Sequence, residues 1–371
     1  MKQQNSFYCI YERYKNNICF SILLKFLSLF FYLIYKTRLF LYKVKLLSSY
    51  SLKAYVVSIG NITSGGTGKT PVTIEIAKYF ISLGYKVAIL SRGYKSVVKN
   101  KSDVQLVSDG NDILLDYEFC GDEPYLIAKK VPKAIVLVGK DRYKTGKAAL
   151  KLGAQVLILD DGYQYLRLKR NVNILMLDTY RPFDNYHLLP YGKLRELPDS
   201  VNRATAIILS NSDRKKIDDI TLSRLNKHGK NIPLYKVGYK ILELTGLNTK
   251  KTLTISNAKR INFMAVCGIG NPQSFIDLLK RHELNIMTYE FYADHYNYEY
   301  NDIKNIITIA EKYKIEDIIV TEKDAIKLEE LCQAAPISFW STKLEVSFDN
   351  SEIFDKIFSG YKPHQSHLGG Y

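Results

Sequence analysis

The sequence has few cysteines, and their arrangement argues against two kinds of site. Its 371 residues contain five, which are Cys9, Cys19, Cys120, Cys267 and Cys332. They are widely separated, odd in number and form no Cys-x-x-Cys pair, so the sequence predicts neither a disulfide framework nor a zinc site. The catalytic part of the chain is therefore expected in a reducing compartment.

Acidic residues are scarce relative to basic ones. The 53 Lys and Arg against 37 Asp and Glu give a net charge of +16, which suggests an anionic partner such as nucleic acid, acidic lipid or a phosphorylated small molecule. The sequence contains no recognisable nucleic-acid-binding module, and its basic residues are spread along the chain, so no nucleic-acid partner is expected. The hydrophobic fraction of 46% excludes bulk disorder, and the length is sufficient for two domains.

The longest apolar run lies near the N-terminus. Residues Ile18–Tyr35 carry one charge, Lys25. An eighteen-residue helix reaches about 27 Å, which is marginal for a ~30 Å hydrocarbon core. No small-residue cleavage site follows the run, so a signal peptide is not expected. A single span, an amphipathic helix in the membrane interface and a buried helical hairpin are the alternatives; we favour membrane attachment, with the basic residues of Lys36–Lys53 on the cytoplasmic side.

The stretch Ser64-Gly-Gly-Thr-Gly-Lys-Thr-Pro71 has the pattern of a phosphate-binding P-loop. It follows the apolar run 54–60 and precedes Val72–Phe80, which has helical periodicity, so the glycine loop joins a strand to a helix. Lys69 is expected to reach the β- and γ-phosphates, and Thr70 to hold Mg²⁺. Backbone N–H groups are expected to surround phosphate oxygens at Ser64, Gly65, Gly66, Thr67 and Gly68. The alternative is a tight glycine turn with an incidental lysine.

Strand and helix patterns alternate after residue 54. Candidate strands are Ala54–Ile59, Val87–Ser91, Ala134–Val138, Val156–Asp160, Asn173–Asp178 and Thr205–Ser210. Candidate helices between them are Val72–Leu83, Glu123–Lys130 and Arg142–Leu152. Several strands are continuous apolar runs, which indicates parallel strands buried on both faces. We therefore predict a P-loop NTPase-type doubly wound parallel α/β sheet, with ligands at the carboxyl ends of its strands.

A second, smaller α/β domain is predicted after the polar stretch Asp213–Gly246. Its strand candidates are Phe263–Cys267, Ile286–Phe291 and Asp317–Thr321. The predicted ranges are 1–50 for an N-terminal membrane-anchoring helical segment, 51–228 for the P-loop domain, 229–348 for the smaller domain and 349–371 for a tail. The last part of that tail, Pro363–Tyr371, looks disordered.

Acidic residues stand where parallel strands and helices would present them to a ligand. Asp160 and Asp161 end an apolar strand and precede Gly162, as a Walker-B acid does when it organises Mg²⁺. A strand-ending turn is the alternative. Asp122 opens a helix in Gly121-Asp-Glu-Pro124, where an N-cap role is sufficient to explain it.

Taken together, these motifs resemble those of the tetraacyldisaccharide 4′-kinase family, ATP-dependent inner-membrane kinases of lipid A assembly. The resemblance covers about Ile22–Trp340, and its segments are 60–61, 65–71, 91–94, 121–124, 160–164, 189–190, 194–196, 268–270, 294–295 and 321–324. The family's Gly-Gly-Thr-Gly-Lys-Thr-Pro form lacks the leading glycine of the general motif, which accounts for Thr63. The family usually has Gln-His where this chain has Gln164-Tyr165.

The resemblance implies a kinase that transfers the γ-phosphate of ATP to the 4′-hydroxyl of a lipid A precursor, a tetraacyldisaccharide 1-phosphate. It implies the bacterial inner membrane, with the catalytic domains on the cytoplasmic side and no obligate protein partner. Asp122 is implied as the base, paired with His295 across the cleft, and Lys69 serves the phosphates. The implied Mg²⁺ ligands are Thr70, Asp161 and Glu196. Contacts to substrate or phosphate are implied for Asn61, Arg92, Glu123, Arg142, Asp160, Gln164 and Arg195.

Two rival functions are compatible with parts of the sequence. One is a P-loop ATPase or GTPase switch protein of the partitioning or metallochaperone type. A guanine-specific version would carry Asn/Thr-Lys-x-Asp, and Thr321-Glu-Lys-Asp324 has these letters in another order. The other is a membrane-bound nucleic-acid NTPase, which only the net charge suggests.

Overall fold

A computed structural model gives the structure of residues 17–93, 104–212, 217, 219–229, 231–350 and 352–359. Three expectations concern positions outside these described residues. They are the first sixteen positions of the N-terminal segment, Tyr94 of the Ser91–Tyr94 motif and the disordered end Pro363–Tyr371.

Thirteen strands among the described residues join into one sheet. They are β1 (Tyr55–Gly60), β2 (Val87–Ser91), β3 (Gln105–Asp109), β4 (Ile135–Val138), β5 (Val156–Asp160), β6 (Val172–Asp178), β7 (Ala206–Ser210), β8 (Leu234–Gly246), β9 (Thr252–Thr254), β10 (Asn262–Cys267), β11 (Asn285–Phe291), β12 (Asp317–Val320) and β13 (Ser338–Phe348). Their order is β11-β10-β12-β13-β8-β7-β6-β1-β5-β2-β4-β3, and β9 pairs with β8. Most neighbours are parallel, whereas β3–β4, β8–β13 and β8–β9 are antiparallel.

The helices alternate with these strands. They are α1 (Ile18–Lys43), α2 (Lys69–Ser82), α3 (Tyr117–Cys120), α4 (Asp122–Lys130), α5 (Arg142–Lys151), α6 (Asp219–His228), α7 (Ile255–Ala258), α8 (Pro272–Arg281), α9 (Tyr300–Lys312), α10 (Glu322–Leu328) and α11 (Ile353–Phe358). A 3₁₀ turn covers Pro198–Arg203. The predicted α/β fold class is confirmed, because a mostly parallel sheet is connected through helices.

The P-loop half of the sheet is covered on both faces. All six residues of β1 are buried. Val57 packs in one cluster with Val72 of α2, whereas its neighbour Val56 packs in another with Ala149 of α5. Successive strand residues therefore point to opposite helical layers, which is why these strands are continuous apolar runs.

Helix α2 begins earlier than the apolar pattern predicts. It starts at Lys69 instead of Val72, directly after Gly68, whose φ of 72° is left-handed. Pro71 is compatible with this start because a proline in the first turn of a helix gives up a backbone N–H that has no intrahelical partner. Lys69 and Thr70 therefore lie in the first turn of the helix, at the end that favours anions.

Strand β8 runs through the stretch that the sequence marks as a domain boundary. Its first few residues pair in parallel with β7, where Ile207 lies opposite Leu234, and most of its length pairs antiparallel with β13. The stretch looks like a linker because Lys236 and Lys240 occupy exposed positions of this strand. Since one sheet continues from one predicted domain into the other, the ranges 51–228 and 229–348 stay a prediction.

The predicted tail 349–371 contains a short helix within its described part. Phe358 of α11 is buried, and its ring lies 4.8 Å from that of Phe80 on α2. Tyr79 of α2 also donates a hydrogen bond to Asp355 Oδ1 at 2.7 Å. The chain therefore returns from the second half of the sheet to pack on the helix that follows the P-loop.

Helix α1 is one continuous helix whose apolar run is mostly exposed, so the buried-hairpin alternative is wrong. One face contacts the protein: Leu24 is buried, Ser28 Oγ donates to the Leu188 carbonyl at 3.0 Å, and Arg38 Nη2 donates to the Gln164 carbonyl at 2.8 Å. The opposite face carries apolar side chains that are each more than half exposed, namely Ile22, Phe26, Phe30, Leu33 and Ile34. An exposed apolar surface of this kind indicates a binding surface.

Candidate active site

The P-loop and the two consecutive aspartates lie at the same edge of the sheet. Strands β1 and β5 are parallel neighbours with Ile59 opposite Asp160, so the segments that follow them emerge side by side. Lys69 Nζ lies 3.6 Å from Asp161 Oδ1. The structure thus brings together the predicted phosphate-binding lysine and the predicted acidic pair.

Gly68 forms the turn from the P-loop into α2, and only glycine fits there. A Cβ on Gly68 would lie 1.8 Å from the hydroxyl oxygen of Tyr239. That hydroxyl donates to the Gly68 carbonyl at 3.1 Å. Because Tyr239 belongs to β8, the strand that the sequence does not predict supports the P-loop directly.

A second loop pairs with the chain that leads into the P-loop. Ser64 N donates to the Lys193 carbonyl, and Arg195 N donates to the Ile62 carbonyl, each at 2.7 Å. This pairing carries Arg195 to Asp161, where Nη1 lies 2.9 Å from Oδ2. Burial would raise the pKa of Asp161, but Lys69 and Arg195 outweigh it and lower that pKa to about 2.

The two aspartates have opposite electrostatic environments. Asp160 is 3% exposed and accepts a hydrogen bond from Thr73 Oγ1 at 3.1 Å. Burial, with the nearby charges of Glu123 and Asp161, raises the pKa of Asp160 well above its usual range. Asp161 is therefore the aspartate that stays ionised, and it is the better candidate for a cation.

Two buried polar side chains beside the P-loop retain unused hydrogen-bonding groups. Arg142 is 3% exposed and donates to the carbonyls of Gly139 and Lys140, while its Nε has no partner among the described residues. Burial lowers the pKa of Arg142 to about 10, so it remains a cation at neutral pH. Asn61 is fully buried, and neither its Nδ2 nor its Oδ1 has a hydrogen-bond partner among the residues that the structure describes. Buried polar groups are normally satisfied, so the two unpartnered donors, Arg142 Nε and Asn61 Nδ2, fit an anionic ligand.

Asp122 and His295 form a close pair across the molecule. His295 Nδ1 lies 2.8 Å from Asp122 Oδ1 and 3.0 Å from Oδ2. Asp122 is the first residue of α4, His295 follows β11, and both are buried. A cavity of about 260 Å³ adjoins the pair. The structure brings together two residues that are 173 positions apart.

The backbone has a positive φ at His295 and at Gly121, the residue before Asp122. His295 has a φ of 57°, in the left-handed region, where histidine is more tolerated than most residues. Gly121, just before Asp122, has φ 92° and ψ 157°, which is a region that only glycine adopts readily. The orientation of Asp122 therefore depends on the glycine that precedes it.

We predict that Gly121→Ala lowers both stability and kcat. Forcing a side chain into this backbone region costs on the order of 1–3 kcal/mol, and relief of the strain rotates Asp122. The matched control is Gly84→Ala, also at a positive φ (84°) and with open space around its Cβ position, which places an alanine at a glycine-favouring backbone position away from the site. Thermal unfolding and kcat measured on both variants test this. If the two variants lose kcat equally, Gly121 has no specific effect on Asp122.

Two lysines that sequence reasoning did not assign to the site contact the pair. Lys327 Nζ lies 2.9 Å from Asp122 Oδ2. Lys323 Nζ lies 3.2 Å from His295 Nε2 and 3.3 Å from Glu123 Oε1. The sequence signal that points to Lys323 is the Thr321-Glu-Lys-Asp324 motif, whereas no motif contains Lys327. Glu123, predicted as a substrate contact, is here an ion-pair partner of Lys323.

The fourth residue of that motif has a structural role. Asp324 is 1% exposed and accepts hydrogen bonds from Gly268 N and the Tyr298 hydroxyl, each at 3.0 Å. Burial raises the pKa of Asp324. By holding the loop after β10 against the start of α10, Asp324 fixes the helix that carries Lys323 and Lys327.

Three further residues predicted for the site, Glu196, Gln164 and Arg92, differ in burial and in their partners. Glu196 is 3% exposed and accepts a hydrogen bond from Arg203 Nη2 at 2.6 Å. Gln164 Nε2 donates to the Asn61 carbonyl at 2.7 Å. Arg92 is exposed at the end of β2, and its charge helps to lower the pKa of Arg142.

Tyr165 occupies the position at which the resemblance leads one to expect histidine. Its hydroxyl donates to Asp141 Oδ1 at 2.7 Å and accepts from Tyr143 N at 3.2 Å. Asp141 is the N-cap of α5, and Arg142 lies with its guanidinium carbon 5.8 Å from the centre of the Tyr165 ring. Tyr165 therefore supports the helix start that presents Arg142.

Comparisons with known proteins agree with this arrangement. A family model described as tetraacyldisaccharide-1-P 4′-kinase matches residues 20–361. A tetraacyldisaccharide 4′-kinase of Syntrophus aciditrophicus is 36% identical over 342 residues, covering 90% of this chain and 91% of the relative. One of Pelobacter propionicus is 37% identical over 302 residues, covering 81% of each. The solved structure of LpxK from Aquifex aeolicus in complex with ATP is 28% identical with a TM-score of 0.71, and the match covers 90% of this chain and 96% of that one.

Proposed function

This chain belongs to the tetraacyldisaccharide-1-P 4′-kinase family and is an ATP-dependent lipid kinase, and we propose that its active site lies between Lys69 and the Asp122–His295 pair. Its reaction transfers the γ-phosphate of ATP to the 4′-hydroxyl of a tetraacyldisaccharide 1-phosphate, a lipid A precursor. The observation that carries the site proposal is the buried contact of His295 Nδ1 with Asp122. No observation favours a P-loop switch protein.

The donor side of the proposed site consists of the P-loop and its neighbouring cations. Lys69 and Thr70 stand in the first turn of α2, where helix N–H groups and the helix dipole favour phosphate. Arg142 contributes charge from the start of α5, and Arg195 does so from the loop that pairs with the chain before the P-loop. Asn61 Nδ2 supplies an unused donor. Together they bind and orient the triphosphate.

The residues beside Lys69 fit a magnesium ion. Asp161 Oδ1 is buried and accepts no hydrogen bond within the described chain, while the carboxylate stays ionised. Carboxylate and hydroxyl oxygens are ligands that Mg²⁺ prefers, so we propose Asp161 and Thr70 as its ligands. Glu196 is the third candidate and is held by Arg203. When bound, Mg²⁺ neutralises charge that develops on the transferring phosphoryl group.

The acceptor side uses the Asp122–His295 pair. We propose that Asp122 accepts the proton of the 4′-hydroxyl and that His295 orients it, as the family resemblance implies. Phosphoryl transfer demands little covalent chemistry from the protein, so orientation of the hydroxyl is the main task. The buried position of both side chains serves that task, because their hydrogen bonds are not in competition with bulk water.

One assay tests the proposed reaction. Purified protein is incubated with γ-labelled ATP, Mg²⁺ and a tetraacyldisaccharide 1-phosphate, and the lipid products are separated by thin-layer chromatography. Label must move into a bis-phosphorylated lipid. A matched acceptor that lacks the 4′-hydroxyl must remain unlabelled, and label on that acceptor contradicts the assigned position.

We propose that α1 attaches the enzyme to the cytoplasmic face of the bacterial inner membrane. The helix has a mean hydropathy of 2.1 over its best window, and by length and composition alone it is long enough to span. Ser28 and Arg38, which lie nearly three turns apart at ~3.6 residues per turn, nevertheless bind protein carbonyls, so this face is not available to lipid. A helix that lies in the interface, with its exposed apolar face in lipid and Lys36, Lys43 and Lys45 among headgroups, fits these contacts.

We predict that Phe26→Glu with Phe30→Glu releases the enzyme from membranes while ATP binding is retained. Both rings are more than half exposed on the free face of α1, so their replacement does not disturb the contacts to the protein. Leu83→Glu, at an exposed apolar site after α2, is the matched control and should remain bound. Sedimentation with lipid vesicles and a carbonate wash measures the outcome. Full retention of the double variant in the pellet contradicts the assignment.

A further inference from the structure

Two lysines on one short helix converge on the Asp122–His295 pair. Lys323 and Lys327 are four positions apart on α10, so they project from the same face. Both are largely buried, with side chains that are 16% and 6% exposed. Burying a lysine ammonium is costly unless it is paired, so this placement calls for a specific reason.

Lys327 is bound to the carboxylate of Asp122. Its Nζ lies 2.9 Å from Oδ2, and it also donates to the Tyr296 carbonyl at 3.1 Å. Asp122 Oδ1 accepts from Glu123 N at 3.0 Å and lies 2.8 Å from His295 Nδ1. Each carboxylate oxygen of Asp122 therefore has a fixed donor, and the group cannot rotate without losing one.

Lys323 contacts Nε2, the second ring nitrogen of His295. Its Nζ lies 3.2 Å from Nε2. An ammonium group donates hydrogen bonds and accepts none, so Nε2 must be the acceptor. An ionised carboxylate only accepts, so Nδ1 must be the donor to Asp122. Both contacts of the ring thus require the same neutral tautomer, with its proton on Nδ1.

We propose that Lys323 and Lys327 are positioning residues that fix the protons of the Asp122–His295 pair. Lys327 keeps Asp122 ionised, and Lys323 keeps the proton of neutral His295 on Nδ1. The proposal rests on the proposed function, because it assumes that Asp122 is the base. It gives a role in the reaction to Lys323 of the Thr321-Glu-Lys-Asp324 motif and to Lys327 in the next turn of α10.

The electrostatics of the site agree with this assignment. Burial alone would raise the pKa of Asp122, but the hydrogen bond from His295 and the charges of Lys323 and Lys327 lower it far below its usual range. Burial would lower the pKa of Lys323, but Glu123, Asp122 and Asp294 outweigh it and raise that pKa, so Lys323 stays charged. The titratable groups around the pair are Tyr117, Glu118, Glu123, Asp294, Tyr298, Lys323 and Lys327.

The test measures protonation directly in the full-length enzyme. Infrared difference spectra of each enzyme against its Asp122→Asn form report the protonated carboxyl of Asp122 as the pH falls. In Lys327→Met the midpoint of this titration should rise by about 1–3 pH units, the effect of losing an adjacent opposite charge. Lys327→Arg should restore the low midpoint. Lys129→Met, which removes an exposed ion pair with Glu329 from α4, is the matched control and should not move it.

A second measurement addresses the histidine. Nitrogen-15 spectra of His295, assigned with His295→Asn, should show the Nδ1–H tautomer in the unaltered enzyme and a mixed population in Lys323→Met. Binding of an ATP analogue verifies the fold of each variant, and Lys327→Gln replaces Lys327→Met if the latter does not fold. An unchanged midpoint in the Lys327 variants overturns the role of Lys327, and an unchanged tautomer overturns that of Lys323. Full activity of Asp122→Asn instead contradicts the proposed base, whatever the lysine variants show.

Discussion

Lys69→Ala is expected to reduce kcat by on the order of 10³-fold or more, which is the contribution of a cation placed on a transferring phosphoryl group. Lys69 begins α2 at the edge of the sheet where β1 and β5 end, and its Nζ lies 3.6 Å from Asp161. Without the Lys69 ammonium, no lysine charge separates the Asp161 carboxylate from the β- and γ-phosphates, and these negative groups repel one another. The loss should therefore appear in the chemical step as well as in ATP binding.

The matched control for this prediction stands on the same helix. Lys78→Ala removes a lysine whose partner is Glu75, within α2, and whose side chain is about half exposed. An exposed pair of this kind contributes ~0–1 kcal/mol to stability, so kcat should be unchanged. Steady-state kinetics with ATP and Mg²⁺ on both variants is the measurement. Rates within about twofold of the unaltered enzyme for Lys69→Ala would remove the basis for the nucleotide site.

The P-loop half of the fold is predictable from sequence because its strands are buried on both faces. A strand such as β5 is a continuous apolar run, Val156–Asp160, and the sequence predicts its ends correctly. The glycine pattern at Ser64–Pro71 then places a ligand at the carboxyl ends of these strands. The position of the site follows from these two local signals.

The strands that join the two halves of the sheet are not predictable in the same way. β8 contains exposed Lys236 and Lys240, so it reads as a polar linker although Val237 and Tyr239 between them are buried. Its stability comes from pairing with β13, about a hundred positions later in the chain. Local periodicity carries no information about that partner, and strand preference depends on context.

The residues of the candidate site likewise differ in whether the sequence can predict them. Residues that follow strands or begin helices, such as Asp161 and Asp122, can be proposed from local pattern together with the family resemblance. Lys327 cannot, because its place in α10 gives no sign of a partner on α4. Glu196 shows the converse: the resemblance implies a metal ligand, while the structure reveals an ion pair with Arg203 that no local pattern suggests.

The second large effect is expected at the Asp122–His295 pair. We predict that Asp122→Asn and His295→Asn each lower kcat by ~10²–10⁴-fold, the range of a positioned general base, with ATP affinity nearly retained. Asparagine is preferred to alanine at both positions for physical reasons. At Asp122 it keeps the volume and the acceptor oxygen beside buried Lys327, and at His295 it tolerates the left-handed backbone with φ 57°.

The decisive measurement is the double variant, because residues that act as a unit lose rate non-additively. If Nδ1 of His295 serves only to orient Asp122, the Asp122→Asn/His295→Asn enzyme should be about as slow as either single variant in kcat/KM for the lipid acceptor. Losses that simply multiply contradict the unit and leave His295 as a separate substrate contact. The chain offers a matched control in His228 and Asp199, another histidine–carboxylate pair. His228 Nδ1 lies 2.7 Å from Asp199 Oδ1. The same substitutions there should leave the rate unchanged, since neither residue adjoins Lys69 or Asp122, and any common loss would point to a general effect of breaking such pairs on the fold.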